Sequence, residues 1–256
     1  MAPGNTVYGS REGCNAVVQT ATNTMVLGCQ STTFPEMVTV IGPCSFLGCK
    51  KLTAINLPEG ITAIGSSAFS GCTNLTTAVL PTTLTSLGNS AFYGCTSLTD
   101  VRLAEGLSNI ESYAFYSCRN LTHITIPSTV TVLKNYAFYE CPSLVEVTVG
   151  FSTPLSIGSS TFSNRRKATL YVPKGCVQEF RQASYWNEFK SIEEQRILGD
   201  VNHNGFINIY DVTLMIDYIL GLAPTNFHVT EADINDDTFI NIYDVTLLID
   251  IILDKE

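Results

Sequence analysis

A spacing of 23 residues organises most of this chain. Leu75–Cys95 reads LTTAVLPTTLTSLGNSAFYGC, and 23 residues earlier Leu52–Cys72 reads LTAINLPEGITAIGSSAFSGC. The next two copies are Leu98–Cys118 (LTDVRLAEGLSNIESYAFYSC) and Leu121–Cys141 (LTHITIPSTVTVLKNYAFYEC). Cys49, Cys72, Cys95, Cys118 and Cys141 share this register, as do Phe46, Phe69, Phe92, Phe115 and Phe138. A fixed period of this length implies a solenoid. One coil cannot bury its own apolar face; stacked copies can, and a parallel ladder then satisfies the strand amides.

Each copy opens with L-x-x-I-x-L, as in Leu52, Ile55 and Leu57. Those residues point inward from a short strand, and the residues between them face out. A polar turn follows, then a second apolar piece (Ile61, Ile64) and an AF-x-x-C turn whose Ala, Phe and Cys fill the interior. The pattern L-x-x-I-x-LP-x-x-L-x-x-IG-x-x-AF-x-x-C, from about Phe34 to Phe162, resembles the BspA-like (Treponema-type) leucine-rich repeats. Ala104 departs from it where Pro is expected, and Glu111 and Lys134 where Gly65 and Gly88 stand in other copies. The expected fold is an α/β solenoid, a leucine-rich-repeat stack with parallel short strands, followed by a small all-α calcium-binding module.

The expected divisions are an N-terminal cap over 1–33, repeats over 34–163, a C-terminal cap over 164–195, and the calcium module over 196–256. Val7–Leu27 resembles a first, degenerate coil. The last coil, Leu144–Phe162, has one inserted residue and no Cys. In the C-terminal cap, Thr169–Pro173 reads as a final strand. Val177, Phe180, Ala183 and Trp186 have helical spacing, so one helix over Cys176–Phe189 would lay Phe180 and Trp186 on the open end.

The formal net charge of −9 argues against nucleic acid, whose phosphates want a basic face. No apolar run is long enough to cross a bilayer, so the chain is expected not to be transmembrane. No secretory apolar region follows Met1; a mature secreted or cell-surface chain whose signal has been removed is the reading that the C-terminus favours. Nine Cys invite a disulfide framework, but identical rungs project the five Cys of the repeat column in parallel, so buried thiols are expected there. Cys14 and Cys29 bracket a hairpin around Thr20–Asn23. If Gln19 faces Thr24, Cys14 faces Cys29, which leaves a bridge open there.

From Asp200 the character changes. Asp200, Asn202, Asn204, Asn208 and Asp211 occupy positions 1, 3, 5, 9 and 12 of a twelve-residue loop. Asp233, Asn235, Asp237, Asn241 and Asp244 repeat the arrangement 33 residues later. With the position-7 carbonyls of Phe206 and Phe239, this is the spacing by which an EF-hand-type loop wraps a hard cation, so two calcium ions are expected. Position 6 is Gly205 in the first loop and Thr238 in the second, a β-branched residue poorly suited to positive φ. Helices are expected over Val212–Leu220 and Val245–Leu253. A duplicated loop and helix, with Asp at position 12 and no helix before the loop, resembles a type I dockerin over about Leu198–Leu253. That resemblance implies docking onto a cohesin-like module. It also implies that Ile209, Tyr210, Ile216 and Asp217, and identically Ile242, Tyr243, Ile249 and Asp250, face the partner through either of two related faces.

The outward residues of the main strands form columns, Ala54, Thr77, Asp100, His123 and Glu146 beside Asn56, Val79, Arg102, Thr125 and Thr148. Asp100, His123 and Glu146 on consecutive rungs could serve a metal or acid–base chemistry, yet a flat strand face offers no cleft to shape a substrate. No nucleophile elbow, phosphate loop or zinc spacing occurs. Tyr93, Tyr116 and Tyr139 form another column, with Tyr113 and Tyr136 beside them. They either grip a glycan or protein surface or stiffen the coil by mutual stacking. The sequence therefore reads as a secreted or surface, non-catalytic binding protein with an unidentified protein or glycan ligand on its repeats and a cohesin partner. A component of a polysaccharide-degrading complex, or a purely structural adhesin, is the alternative.

Overall fold

The computed structural model describes residues 8–9, 16–29, 31–32, 34–195, 197–202 and 207–253. It forms two compact units, Met1–Glu194 and Gln195–Glu256. In chain order the strands of the first are β1 (Tyr8–Gly9), β2 (Val17–Gln19), β3 (Thr24–Leu27), β4 (Val40–Ile41), β5 (Ala54–Asn56), β6 (Ala63–Ile64), β7 (Thr77–Val79) and β8 (Ser86–Leu87). They continue with β9 (Asp100–Arg102), β10 (Asn109–Ile110), β11 (His123–Ile126), β12 (Val132–Leu133), β13 (Glu146–Val149) and β14 (Thr169–Val172). A short helix α1 (Val177–Gln182) and β15 (Ser191–Glu194) complete it.

Every full coil gives one strand to each of two parallel ladders. The main ladder runs β5-β7-β9, then β11-β13-β14-β15. The minor ladder runs β4-β6-β8-β10-β12. The register is the sequence period itself, Ala54 pairing with Thr77 and Thr77 with Asp100. Between the ladders the coil interior is one core. Phe46, Phe69, Phe92, Phe115, Phe138 and Phe162 stack face on face, with successive centroids 5.0, 5.3, 5.3, 5.3 and 5.1 Å apart. That spacing is close to the ~4.8 Å of neighbouring strands, so stacking and backbone pairing impose one common repeat.

The cysteine column does more than fill space. Cys72, Cys95, Cys118 and Cys141 are buried free thiols, and each donates to the carbonyl of the Phe one coil earlier. The distances are 3.2 Å to Phe46, 3.2 Å to Phe69, 3.3 Å to Phe92 and 3.2 Å to Phe115. Burial pushes these thiols up, Cys72 to about 11 and Cys141 to about 12, so they stay protonated and able to donate. Gly88 shows how tightly the coils stack: a Cβ there would lie 2.6 Å from the Ser66 nitrogen.

The ends differ from the sequence expectation in instructive ways. The N-terminal segment is the antiparallel hairpin expected around Thr20–Asn23, and only its second strand acts as a coil: β2 pairs with β3, and β3 continues the minor ladder through β4. Gln19 does face Thr24, but the register shifts between Val17 and Val18, so simple counting no longer carries to Cys29. Cys14 lies outside the described residues. At the other end the expected single helix is split. The helix α1 stops at Gln182, Ala183 is extended, Tyr185 is left-handed, and Trp186–Glu188 forms a separate 3-10 turn. Six residues of α-helix would turn Trp186 about 120° away from Phe180. The break lets both reach the core, where the Trp186 indole donates to the Leu155 carbonyl at 2.7 Å. A further strand unforeseen in the sequence, β15, pairs with β14 and makes the last rung.

The second unit contains α2 (Ile209–Ile219), α3 (Val229–Ala232) and α4 (Ile242–Leu253) around Val201, Val212, Met215, Ala232, Val245 and Leu248. The short α3 directly precedes the second loop, where the sequence reading placed no helix. Among the described residues, no helix is long and apolar enough to cross a membrane.

Because Phe92 is sandwiched between two rings and wholly buried, Phe92→Ala should lower the unfolding free energy by about 3–5 kcal/mol. Urea unfolding of the full chain measures it, and a loss below about 1 kcal/mol would show that the column is not a structural spine.

Candidate functional site

In the second unit each predicted loop runs straight into a helix, and the loop's last ligand positions are also the helix cap. Asn208 Oδ1 accepts from the Tyr210 N–H at 2.9 Å, while Asp211 Oδ2 accepts from the Asn208 N–H at 3.0 Å. Asn241 and Asp244 repeat this with Tyr243 and Asn241 at 2.8 and 2.9 Å. This reciprocal cap starts the helices at Ile209 and Ile242, three residues before the expected starts. In the second loop Asp233 accepts from the N–H groups of Asp237 and Thr238, and Asp237 from that of Phe239. Thr238 is held at φ +72 and Asp236 at +57, so the turn that Gly205 would take easily is imposed on a β-branched residue. Asn204, Gly205 and Phe206 lie outside the described residues.

The donor set fits a hard divalent cation. Its side-chain atoms are carboxylate and amide oxygens, and Asp200, Asp211 and Asp244 are buried. Asp211 Oδ1 is buried without a hydrogen-bond partner among the described residues. Burial pushes this carboxyl up from its ordinary value. The Asn208 N–H, donating to Oδ2, holds it down. Asp244 Oδ1, its counterpart, accepts from Ile234 and Asn235 at 2.9 and 3.3 Å. A cation beside Asp211 would offset the cost of burying that charge. Among the described residues, no three acidic, His or Cys side chains are gathered as a formed metal cage.

The predicted partner-facing residues share one side of their helices. Ile209 and Tyr210 are 65% and 72% exposed, and Ile242 and Tyr243 are 63% and 71% exposed. Ile216, Ile249 and Asp250 are exposed and Asp217 is half-buried, while Val212, Met215, Val245 and Leu248 take the inward side. None of the four Ile or two Tyr residues is packed into this unit's own core.

On the first unit the structure separates the predicted ligand-surface residues into two groups. Asp100, Arg102 and His123 come together in a cleft of about 570 Å³ between β9 and β11, joined by Glu105 and Thr125. This corrects the expectation of a flat face. Glu146 is opposite His123 in the β11–β13 register and does not line the cleft. His123 Nε2 lies 3.7 Å from Asp100 Oδ1, too long for a direct hydrogen bond.

The tyrosines form the second group, in the turns of successive coils. Tyr93–Tyr116 and Tyr113–Tyr136 stack at 4.9 Å, Tyr116–Tyr139 at 5.9 Å, and the two columns touch through Tyr113–Tyr116 and Tyr136–Tyr139. Mutual stacking uses up most ring faces, so the cluster presents edges and hydroxyls. Sequence reasoning missed its clamp. Glu140 sits at φ +56 where earlier coils carry Gly48, Gly71 and Gly94. Its carboxylate accepts from the Tyr116 hydroxyl at 2.9 Å and lies 3.8 Å from Arg119. The change from Gly to Glu in that column was the available signal. The hydrogen bond to Glu140, with smaller effects of burial and charge, pushes the Tyr116 phenol up to about 12.

Comparison with known proteins gives these groups a context. Six copies of the BspA type leucine rich repeat region match residues 25–145 and 62–193. The chain belongs to the BspA-type leucine-rich-repeat family. Residues 198–253 match the dockerin type I domain. Dockerin type I domains bind calcium and dock onto cohesins, and both module types are non-catalytic. Among solved structures, the chain is similar to the T. pallidum leucine rich repeat protein TpLRR at 22% identity and TM-score 0.50, covering 88% of this chain and 96% of that one. It is also similar to the pneumococcal vaccine antigen PcpA at 16% identity and TM-score 0.53, covering 77% of this chain and 49% of that one. A leucine-rich repeat protein from Eubacterium ventriosum matches at 21% identity and TM-score 0.52, covering 75% and 49%. The chain thus spans about half the length of the latter two, and these likenesses show the fold alone. No curated protein matches the chain.

Two outcomes follow from this geometry. Thr238→Gly removes left-handed strain and should stabilise the calcium-loaded second unit by about 1 kcal/mol, read from thermal melts in calcium. Glu140→Gln withdraws the anionic acceptor that favours the protonated phenol. Tyr116 should then ionise at lower pH, nearer the ordinary 10.0, as an earlier tyrosinate step in an ultraviolet titration.

Proposed function

We propose that this chain is a secreted or cell-surface, non-catalytic binding protein. Its repeat surface takes a protein or glycan ligand, and its C-terminal module, from about residue 196, docks onto a cohesin-like partner in an extracellular complex. Calcium holds that module in two loops. The first uses Asp200, Asn202, Asn204, Phe206, Asn208 and Asp211, and the second Asp233, Asn235, Asp237, Phe239, Asn241 and Asp244. On the repeats, the candidate ligand surface comprises Asp100, Arg102, His123 and Glu146 on the strands and Tyr93, Tyr116 and Tyr139 in the turns.

The observation that carries the reading is the duplicated exposed pair, Ile209–Tyr210 and Ile242–Tyr243. Large apolar side chains left in water at the same place on two helices are costly unless a partner covers them. The caps join this surface to the loops, since Asn208 and Asp211 are at once ligand candidates and the residues that start α2. Losing the cation would therefore disturb the helix ends that carry Ile209 and Tyr210.

Calorimetry with a cohesin panel tests this. Binding should require calcium and disappear in the double variant Asp211→Ala, Asp244→Ala. With two equivalent faces, Tyr210→Ala alone should cost only about twofold, the statistical loss of one of two sites, and Tyr210→Ala with Tyr243→Ala at least about tenfold. Calcium-independent binding, or none across the panel, would overturn the assignment.

A further inference from the structure

The main ladder is continuous except at one place. Along the column that begins at Thr53, the Thr76 and Thr99 N–H groups donate to the carbonyl one rung below at 2.8 and 2.9 Å, and their hydroxyls reinforce those bonds at 2.9 and 3.1 Å. Val145 and Thr169 resume the pattern at 2.9 and 2.8 Å. Between β9 and β11 it stops. No strand pairing joins them, and the Thr122 hydroxyl turns to His123 Nδ1 at 3.1 Å instead of to the Thr99 carbonyl. Here Ala104 replaces the Pro of other coils, and Leu103 is only half-buried where Leu57, Leu80 and Ile126 are buried.

Deeper in, the same two coils remain one rung apart. Their minor strands β10 and β12 pair in register, and Phe115 stacks on Phe138 at 5.3 Å. Admitting an extra peptide strand would need about 9.6 Å between β9 and β11, so the opening cannot take one by strand addition. What it offers is a shallow basin in which polar groups stand beside a somewhat larger share of apolar surface. Asp100 and Glu105 accept, Arg102 donates, and the hydroxyls of Thr122 and Thr125 can do either. Val101, Leu103 and Pro127 are the apolar side chains of its lining. With Asp100 Oδ1 and His123 Nε2 3.7 Å apart, a sugar hydroxyl placed over the pair, not between them, can hydrogen-bond to both.

We infer that this break in the ladder between β9 and β11 is a saccharide site that takes a neutral, hydroxyl-rich sugar of one or two rings. Sugar hydroxyls need donors and acceptors side by side, and ring C–H faces need a little apolar ground; the basin supplies both. Two carboxylates against one guanidinium disfavour an anionic sugar. A protein partner would want large apolar anchors, and among the described residues no Phe, Tyr or Trp lines the basin. The inference rests on the proposed ligand-binding role of the repeats and narrows it to one place and one chemical class.

The test titrates the isotope-labelled full chain, in calcium, with cellobiose, xylobiose, mannobiose and lactose, and with digalacturonate as the charged probe. At least one neutral disaccharide should shift the His123 ring signals saturably. Its affinity should fall about tenfold or more in Arg102→Ala, the loss of a charged hydrogen bond, and stay unchanged in Lys51→Ala, an exposed position outside the candidate ligand surface. Arg102 is exposed, so its replacement leaves the core intact, which a melting curve checks. Silence from all neutral sugars, or binding of digalacturonate alone, would overturn the inference. If a neutral sugar binds with equal strength to Arg102→Ala but more weakly to Tyr93→Ala, the cleft is wrong while the wider ligand-binding reading stands. That wider reading fails separately, if no probe sugar binds and a protein-ligand screen against the repeat surface is also negative.

Discussion

The first unit rests on the coincidence of two spacings. Hydrogen-bonded strands repeat at ~4.8 Å, and aromatic rings stack comfortably at slightly more. The Phe column from Phe46 to Phe162 therefore stacks without straining the ladders on either side of it. The thiols of Cys72 to Cys141 tie the same turns together by donating to Phe carbonyls one coil back. Successive regular coils are thus held together by a ring contact, one or two strand pairings and a thiol-to-carbonyl hydrogen bond, all with one period.

That economy also explains where variation is tolerated. Residues facing out of the main ladder carry no packing duty, so Thr77, Asp100, His123 and Glu146 can differ freely along one column. The turn column accepts Gly48, Gly71, Gly94, Ser117 or Glu140 at left-handed φ, provided something offsets the strain. At Glu140 it is the pair of contacts to Tyr116 and Arg119. The one fault in the main ladder occurs where the Pro position holds Ala104, and the minor ladder bridges the fault so that the core does not open.

The second unit solves a different problem with few residues. Its loops and helices share atoms: Asn208 and Asp211, like Asn241 and Asp244, close a helix cap and are also among the proposed calcium ligands of their loop. The helices then turn Val212, Met215, Val245 and Leu248 inward and leave Ile209, Tyr210, Ile242 and Tyr243 in solvent. The small core and the exposed pairs are opposite sides of the same two helices.

Periodicity alone determined the solenoid, the identity of its core columns, and the duplicated loops, because a repeat of 23 or 33 residues leaves each chemical role printed several times over. The hairpin at the start was also legible from Gln19 and Thr24. Tertiary structure alone decided the ends and the exceptions. Trp186 reaches the core, and the Leu155 carbonyl to which it donates, only because the cap helix breaks at Ala183, and no local pattern encodes that distant partner. The bulge at Val17 and Val18, the added rung β15 and the stacking of five tyrosines arise the same way. So does the cleft at Asp100 and His123. Columns show which residues lie on neighbouring rungs, but whether two rungs actually bond depends on how their coils sit against each other in space.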